Sequence, residues 1–525
     1  MGPPLSDLSD SANSNSYSTS TSVDLLRYDP AMRFEQLVEP VAECKAMLTL
    51  LDDSGSGAAG VSRRMLLQAG GAGLCGVTLS RVLQAESQAR EAGGAGRAKA
   101  VIFVLLFGGP SQLETFDMKP EAADAIRGPF RPIDSRTPGL RICEHLPRLA
   151  DHSDRYCIVR TMSHSFNDHS GGGHYIQTGK RWHVPIGGGF TPTPKDWPAM
   201  GSVVEYHAQR GLSPSSALPS YAVIPNSLGR LQDAGQYPRP GEHAGWLGRA
   251  YNPLTTRIDK RDSKDNPYWR DCTDEELTFQ IDGLAVAPEL TLDRSQRRVS
   301  LLQQFDQQRR LIEAAGVATY DRITQRALNL LTSAKTQAAL DLTRESAELR
   351  DRYGRHLFGQ SCLMARRLIE AGVRFATVHY DCVDGYSWDS HRNSDDVRKH
   401  LLPTLDQGLS ALLTDLENRG LLSETLIVCL GEMGRTPKAN AQWGRDHWST
   451  LFPALLAGAG VRAGSLYGSS DADAAYALDH PISPEDLAAT IYHALGLDPG
   501  MRLPDAQGRP VPIVEEGSPV LELFG

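Results

Sequence analysis

Three mainly apolar runs constrain this chain more than any other feature: Ala100–Phe107 (AVIFVLLF), Gly372–Tyr380 (GVRFATVHY) and Thr425–Leu430 (TLIVCL). A strand with one wet face alternates polar and apolar side chains. Runs without that alternation belong to strands buried on both faces, as in a parallel sheet covered by helices. Tyr156–Arg160 reads as a further short strand, and helical patterns fill the intervals, among them SCLMARRLIEAG and a stretch from about Val397 to Arg419. Strands alternating with helices predict an α/β fold with a mainly parallel sheet between helix layers.

Ligands of open α/β sheets bind outside the carboxyl ends of the strands, and there this sequence turns polar. After Phe107, Gly108-Gly109 allow a sharp exit and lead to Glu114, Asp117 and Lys119 as candidates for a site. After Arg160 come His164, Asp168-His169-Ser170, Gly171-Gly172-Gly173 and His174, three histidines within eleven residues of a chain that has only 15. Imidazoles bind divalent metals or act as general bases near neutral pH. A glycine-rich helix start offers backbone N–H groups to an anion. After Tyr380 come Asp389 and His391. Two apart in an extended segment, they point to the same side and can grip one metal. After Leu430 come Glu432, Arg435 and the run Arg445-Asp446-His447. Their carboxylates and imidazole are candidate ligands, and the guanidinium groups suit bidentate capture of an anion.

A formal charge of −9 over 525 residues argues against a nucleic-acid partner, which needs a basic face. Eight cysteines without a CxxC pair argue against a structural zinc knuckle. Cys429, inside a strand, is expected to be a buried thiol; one or two disulfides among the others stay open. Residues 1–60, rich in Ser, Asp, Gly and Ala, read as a disordered extension. Within 61–97, Ser62-Arg63-Arg64-Met65-Leu66-Leu67-Gln68 and a short Gly/Ala-rich run read as a twin-arginine export signal, with Ala89 a plausible cleavage point. Its partner is the twin-arginine export machinery, and the mature protein is expected to be periplasmic or extracellular. No other stretch reaches the ~18 apolar residues of a membrane span. Residues 98–525 read as a single α/β domain with a Pro/Gly-rich insertion of short strands or loops near 183–275. Residues 141–150 read as a helix, Pro484–Leu495 as a helix capped by Ser483, and Val511–Leu523 as an extended tail.

The segments FGGPSQLETFDMKP, HSGGGHYIQTG, WDSH and GEMGRTP…GRDHW, in this order and spacing, resemble domain-of-unknown-function family 1501 over roughly residues 98–520. That family is labelled sulfatase-like and grouped with the alkaline phosphatase superfamily, so the resemblance implies an alkaline-phosphatase/sulfatase-like fold. In the superfamily a nucleophile opens a helix that ends in Thr-Gly. Counting back from Gly179 puts His169 at that position, with Ser170 beside it, where a Ser, Thr or formylglycine-forming Cys is usual. The superfamily's Asp-His after the later strand is replaced by Glu432-Met433. The Asp that normally follows the first strand is replaced by Gly108-Gly109, leaving Glu114 or Asp117 to substitute. The resemblance therefore implies a remodelled site.

The leading expectation is an exported metal-dependent hydrolase of anionic esters, sulfate or phosphate, whose partner is a small-molecule or polysaccharide ester. Asp389, His391, Glu432, Asp446, His447 and Asp117 are the metal-ligand candidates. Zinc suits the imidazoles, and calcium, magnesium or manganese suits the carboxylates. Arg435, Arg445 and Lys119 would hold the anion. His169, Ser170 and His174 would supply the nucleophile or the general acid and base. The alternatives are a non-catalytic, metal-stabilised scaffold or binding protein for sulfated polysaccharide, and phosphoryl transfer or mutase chemistry on the same fold.

Overall fold

The computed structural model describes residues 96–189, 191–210, 218–225, 239–262, 265–281, 333–381 and 388–525. The amino-terminal extension and the run of paired arginines lie outside them. Nine strands form the main sheet: β1 (Ala100–Leu105), β2 (Tyr156–Met162), β3 (Tyr221–Ile224), β4 (Leu254–Arg257), β5 (Gln280–Ile281), β6 (Phe375–His379), β7 (Thr425–Leu430), β8 (Phe452–Ala457) and β9 (Ser465–Tyr467). Their spatial order is β9-β2-β8-β7-β1-β6-β3-β4-β5. The three apolar runs of the sequence are neighbours at its centre. β1 pairs in parallel with β6 (Val101 opposite Phe375) and with β7 (Ala100 opposite Thr425). Only β8 and the edge strand β5 run against the others.

Every residue of β1, β6, β7 and β8 is buried, as a sheet covered on both faces requires. Successive side chains alternate between faces. Ile102, Val104, Ile427 and Cys429 pack under α3 (Leu357–Glu370) and α4 (Leu402–Asn418). Val101, Phe103, Leu426 and Val428 pack with α1 (His169–Thr178), α2 (Met200–Arg210) and α5 (Pro484–Ala494). The fold is thus a mostly parallel mixed sheet between two helix layers. α5 begins as expected, with Ser483 as N-cap in a reciprocal capping box with Asp486.

Three local expectations are corrected. Residues 141–150 are not one helix: Arg141–Cys143 is a short strand and only Pro147–Asp151 is helical, because Pro147 cannot donate in a helix interior but fits a first turn. The span 183–275 contributes α2 and the sheet strands β3 and β4, beyond short strands and loops. The carboxyl-terminal stretch is not an extended tail. Pro510–Pro512 pairs with Arg502–Pro504, and Ile513, Val514, Leu523 and Phe524 are buried against the sheet. The five described cysteines, Cys143, Cys157, Cys272, Cys362 and Cys429, are free and buried. Among the described residues no helix is long and apolar enough to cross a membrane.

Candidate metal centre

The loops after β1, β6 and β7 meet where these adjacent strands end. Asp389 arrives on the loop after β6, and its Oδ1 is the focus of the cluster. His169 Nε2 lies 3.2 Å from it, His391 Nε2 2.9 Å, His447 Nε2 3.3 Å and Arg435 Nη2 2.6 Å. His169 is the first residue of α1. Asp168 caps that helix by accepting from Gly171 N at 2.8 Å. The glycines that follow serve close packing: a Cβ on Gly173 would sit 2.9 Å from the Phe107 ring, and one on Gly172 3.2 Å from the Glu432 carbonyl. The exit from β1 has the same logic. Gly108 has φ +112°, and a Cβ there would lie 2.5 Å from Asp389 N.

Each imidazole is held by its other nitrogen. His169 Nδ1 lies 2.5 Å from Glu432 Oε1, His391 Nδ1 2.8 Å from Asp446 Oδ1 and His447 Nδ1 2.9 Å from the Asn167 carbonyl. All three oxygens accept, so each Nδ1 carries the hydrogen and the neutral ring leaves Nε2 bare, a tautomer assigned from the partners. An oxygen behind each ring is the outer shell that metal-bound histidines carry. Glu432 is fully buried, and both its oxygens also accept from Gly108 N, at 3.0 and 3.1 Å.

Bare nitrogens facing a carboxylate oxygen repel it unless a proton or a metal ion lies between. Burial alone would lower the His169 pKa, but hydrogen bonds to Asp389 and Glu432 overcome it and push the group up to about 9. Burial alone would raise Asp389, yet its hydrogen bonds from His169, His391 and His447 hold it far below the usual carboxylate range. The hydrogen bond to Asp389 raises His391 against its burial.

The donor atoms of His169, Asp389 and His447 all lie within 4.8 Å of one another. A tetrahedral ion with bonds of about 2.0–2.1 Å sets its ligands about 3.3–3.4 Å apart. The two edges that meet at Asp389 Oδ1, 3.2 and 3.3 Å, match. These residues fit a divalent metal.

A family model described as "Protein of unknown function (DUF1501)" matches residues 98–524. The chain belongs to the DUF1501 family. No curated protein matches it. Solved structures similar to this DUF1501 chain include the alkaline phosphatase PafA, at 10% identity over 82% of this chain and 99% of that one, with a TM-score of 0.39. A sulfatase from Pseudoalteromonas sp. matches at 12% identity over 80% and 70% of the chains, TM-score 0.35. A phosphonate monoester hydrolase from Silicibacter pomeroyi matches at 12% over 80% and 77%, TM-score 0.34. Scores this low carry no argument about activity.

Of the residues singled out from sequence, this DUF1501 chain brings Asp389, His391, His447, His169 and Arg435 together. Glu432 and Asp446 stand one shell out, holding imidazoles. The other candidates are placed elsewhere. Asp117 pairs with Lys119 Nζ at 3.0 Å, and Lys119 also donates to Ser470. Arg445 is buried, with Nε on Glu114 at 2.9 Å and its remaining donors on the carbonyls of Thr436, Pro437 and Ile126. Ser170 is buried and its hydroxyl has no hydrogen-bond partner among the described residues. His174 is buried against Trp182, with Nδ1 3.0 Å from the Lys180 carbonyl, and burial pushes it down to about 4. Arg435, though present, is spent: it is fully buried and donates to Gly108 and Gly109 carbonyls as well as to Asp389.

Sequence reasoning passed over a second buried polar group. Arg239 lies 4.0 Å over the Phe107 ring, which is 5.6 Å from the His169 ring, and it donates to Asp381 Oδ2 at 2.9 and 3.0 Å. Next to it, Glu242 Oε1 and His379 Nε2 are 3.3 Å apart. Burial pushes Glu242 up to about 8 and His379 down to about 4. At neutral pH the carboxyl therefore keeps its proton and faces a bare ring nitrogen. Unfolded, the carboxyl releases that proton near 4.5, so stability falls as pH rises from there through about 8, by up to about 1.4 kcal/mol per pH unit. Glu242→Gln removes this slope. Urea melts from about pH 5 to 8 should show the variant gaining on the wild type as pH rises; a constant difference means that Glu242 is already ionised in the fold.

Proposed function

We propose that this chain is an exported metal-dependent hydrolase of anionic esters, sulfate or phosphate. The observation that carries the reading is the convergence of His169, His447 and Asp389 on one point, with His391 beside it. Zinc is the cation this imidazole-rich, near-tetrahedral donor set suits best. When bound it would polarise an ester oxygen and lower the pKa of a water molecule.

The chain's own residues supply the rest. Three protein ligands and an open position are the mark of catalytic rather than structural zinc sites. His391 Nε2 lies 2.9 Å from Asp389 Oδ1 and 3.0 Å from His447 Nε2, and its ring is more exposed than those of His169 and His447. Its Nδ1 is fixed on Asp446 and its Nε2 faces the centre, so Nε2 can hold a proton for the departing oxygen, with Asp446 as the orienting carboxylate. Arg435 neutralises part of the charge on Asp389 and fixes its direction rather than gripping substrate. Ser170 and His174, off the cluster, have no part in this scheme. Export in folded form fits a centre that only the folded chain assembles.

The test is metal analysis of the native protein, followed by turnover on aryl sulfates and aryl phosphates with metals restored. Turnover above the Asp389→Ala and His169→Ala controls is expected. One equivalent of metal without such turnover would favour the scaffold reading, which a fully occupied four-donor site including His391 would also produce. A metal-free native protein would remove both.

A further inference from the structure

The two segments that build the metal centre go on to build a groove. Residues 389–391 carry Asp389 and His391, and two residues further, at most about 7 Å of chain, Asn393 begins one groove wall. The segment 435–447 carries Arg435 and His447 and forms the other wall through Gln442 and Trp443. The walls are laced together. Asn440 Nδ2 donates to the His391 carbonyl at 2.8 Å, Ser394 Oγ donates to the Trp443 carbonyl at 2.6 Å, and Asn393 bridges Trp443 in antiparallel fashion. A Cβ on Gly444 would strike the His391 carbonyl at 2.0 Å, so the segments touch backbone to backbone.

The groove has a volume of about 500 Å³, within the range of small-ligand sites. Phe130 and Trp443 supply aromatic surface, and Glu144, His145, Arg398 and Gln442 supply polar groups. Trp443 adopts φ +65°, a strained backbone for a bulky residue and one that persists only where the surroundings impose it, often at ligand clamps. His145 stands edge-on to Phe130 at 5.1 Å, and its Nε2 has no hydrogen-bond partner among the described residues. Aromatic faces beside separate donors and acceptors suit a ring with an apolar face and hydroxyl edges. The carboxylates of Glu144 and Asp395 outnumber the Arg398 guanidinium in the lining, which disfavours an anion here.

We propose that this groove is the subsite for a neutral sugar ring of the substrate, holding the saccharide while its anionic ester group reaches the metal centre. The proposal deepens the hydrolase reading and rests on it for the word substrate; the binding of sugar does not.

The experiment is calorimetric titration of the whole zinc-loaded protein with neutral hexasaccharides of glucose, galactose, mannose and xylose, alongside turnover of a simple aryl sulfate and aryl phosphate. At least one hexasaccharide should bind with Kd below about 10 mM, and Trp443→Gly should weaken it about tenfold or more. Glycine tolerates φ +65° without strain, so this variant loses the ring and keeps the loop. Arg398→Ala, at an exposed position, should weaken binding as well. Sugar binding without aryl-ester turnover leaves the subsite standing and removes the hydrolase. Aryl-ester turnover without binding of any hexasaccharide, or binding indifferent to Trp443→Gly and Arg398→Ala, overturns the subsite and leaves the hydrolase.

Discussion

Asp389→Ala should empty the metal centre. Oδ1 of this residue lies within 3.3 Å of His169, His391 and His447 Nε2 and of Arg435 Nη2. Without it three imidazoles and a buried guanidinium face each other with no negative charge between them. Loss of a group that merely orients a ligand costs about 10–100-fold in metal affinity, so loss of this carboxylate should exceed about 100-fold. Glu432→Gln, which keeps an acceptor behind His169 but removes its charge, should fall in the 10–100-fold range. Competition against a chelator gives both numbers. A bound ion at 1,000 times its Kd stabilises the fold by about 4 kcal/mol, and after a 100-fold loss of affinity by about 1.4 kcal/mol, so zinc should raise the melting temperature of the wild type and raise that of Asp389→Ala by at most about a third as much. If Asp389→Ala kept one tightly held equivalent of metal, the centre would have to be elsewhere.

Gly108→Ala should cost about 2–6 kcal/mol of stability and weaken metal binding with it. Two penalties combine: a side chain at φ +112°, worth about 1–3 kcal/mol, and a Cβ forced to within 2.5 Å of Asp389 N, overpacking worth about 1–3 kcal/mol. The same residue donates its N–H to Glu432 and accepts from Arg435 Nη2 at its carbonyl, so the segment that must yield carries the metal ligand itself. Gly139→Ala is the control. Its φ is +80° but nothing lies within 4 Å of its Cβ, so only a conformational cost of about 1–2 kcal/mol applies. Equal losses in the two variants would show that the close approach to Asp389 is unimportant.

The centre of the sheet was legible because strands buried on both faces leave no polar alternation to confuse the reading. Its edges were not. β3 is four residues long and β4 alternates, so both disappeared into a Pro/Gly-rich stretch. Nor could the pattern of β8, as apolar as its neighbours, disclose that it runs antiparallel.

The cluster itself was legible as residue types at strand ends, and this is where Asp389, His391, His447 and His169 came from. The roles within it were not, because shells differ by a few ångströms that spacing does not encode. Glu432 looked like a ligand and holds His169 instead. Arg445 looked like an anion grip, but Glu114 and three carbonyls claim it. Asp117 and Lys119 were drawn off by Ser470, about 350 residues away, a partner that no local window contains. Arg239 went unnoticed for the same reason.

The donors His169, Asp389 and His447 are separated by 220 and 58 residues, and each depends on a different loop of the sheet. No short peptide of this chain can hold two of them in place. A cation captured at this point therefore reports on the assembled architecture rather than seeding it: it cannot act as a nucleus for the growing chain, and it deepens only the final basin. On the proposed reading, metal binding and completion of the native topology would be one coupled thermodynamic event.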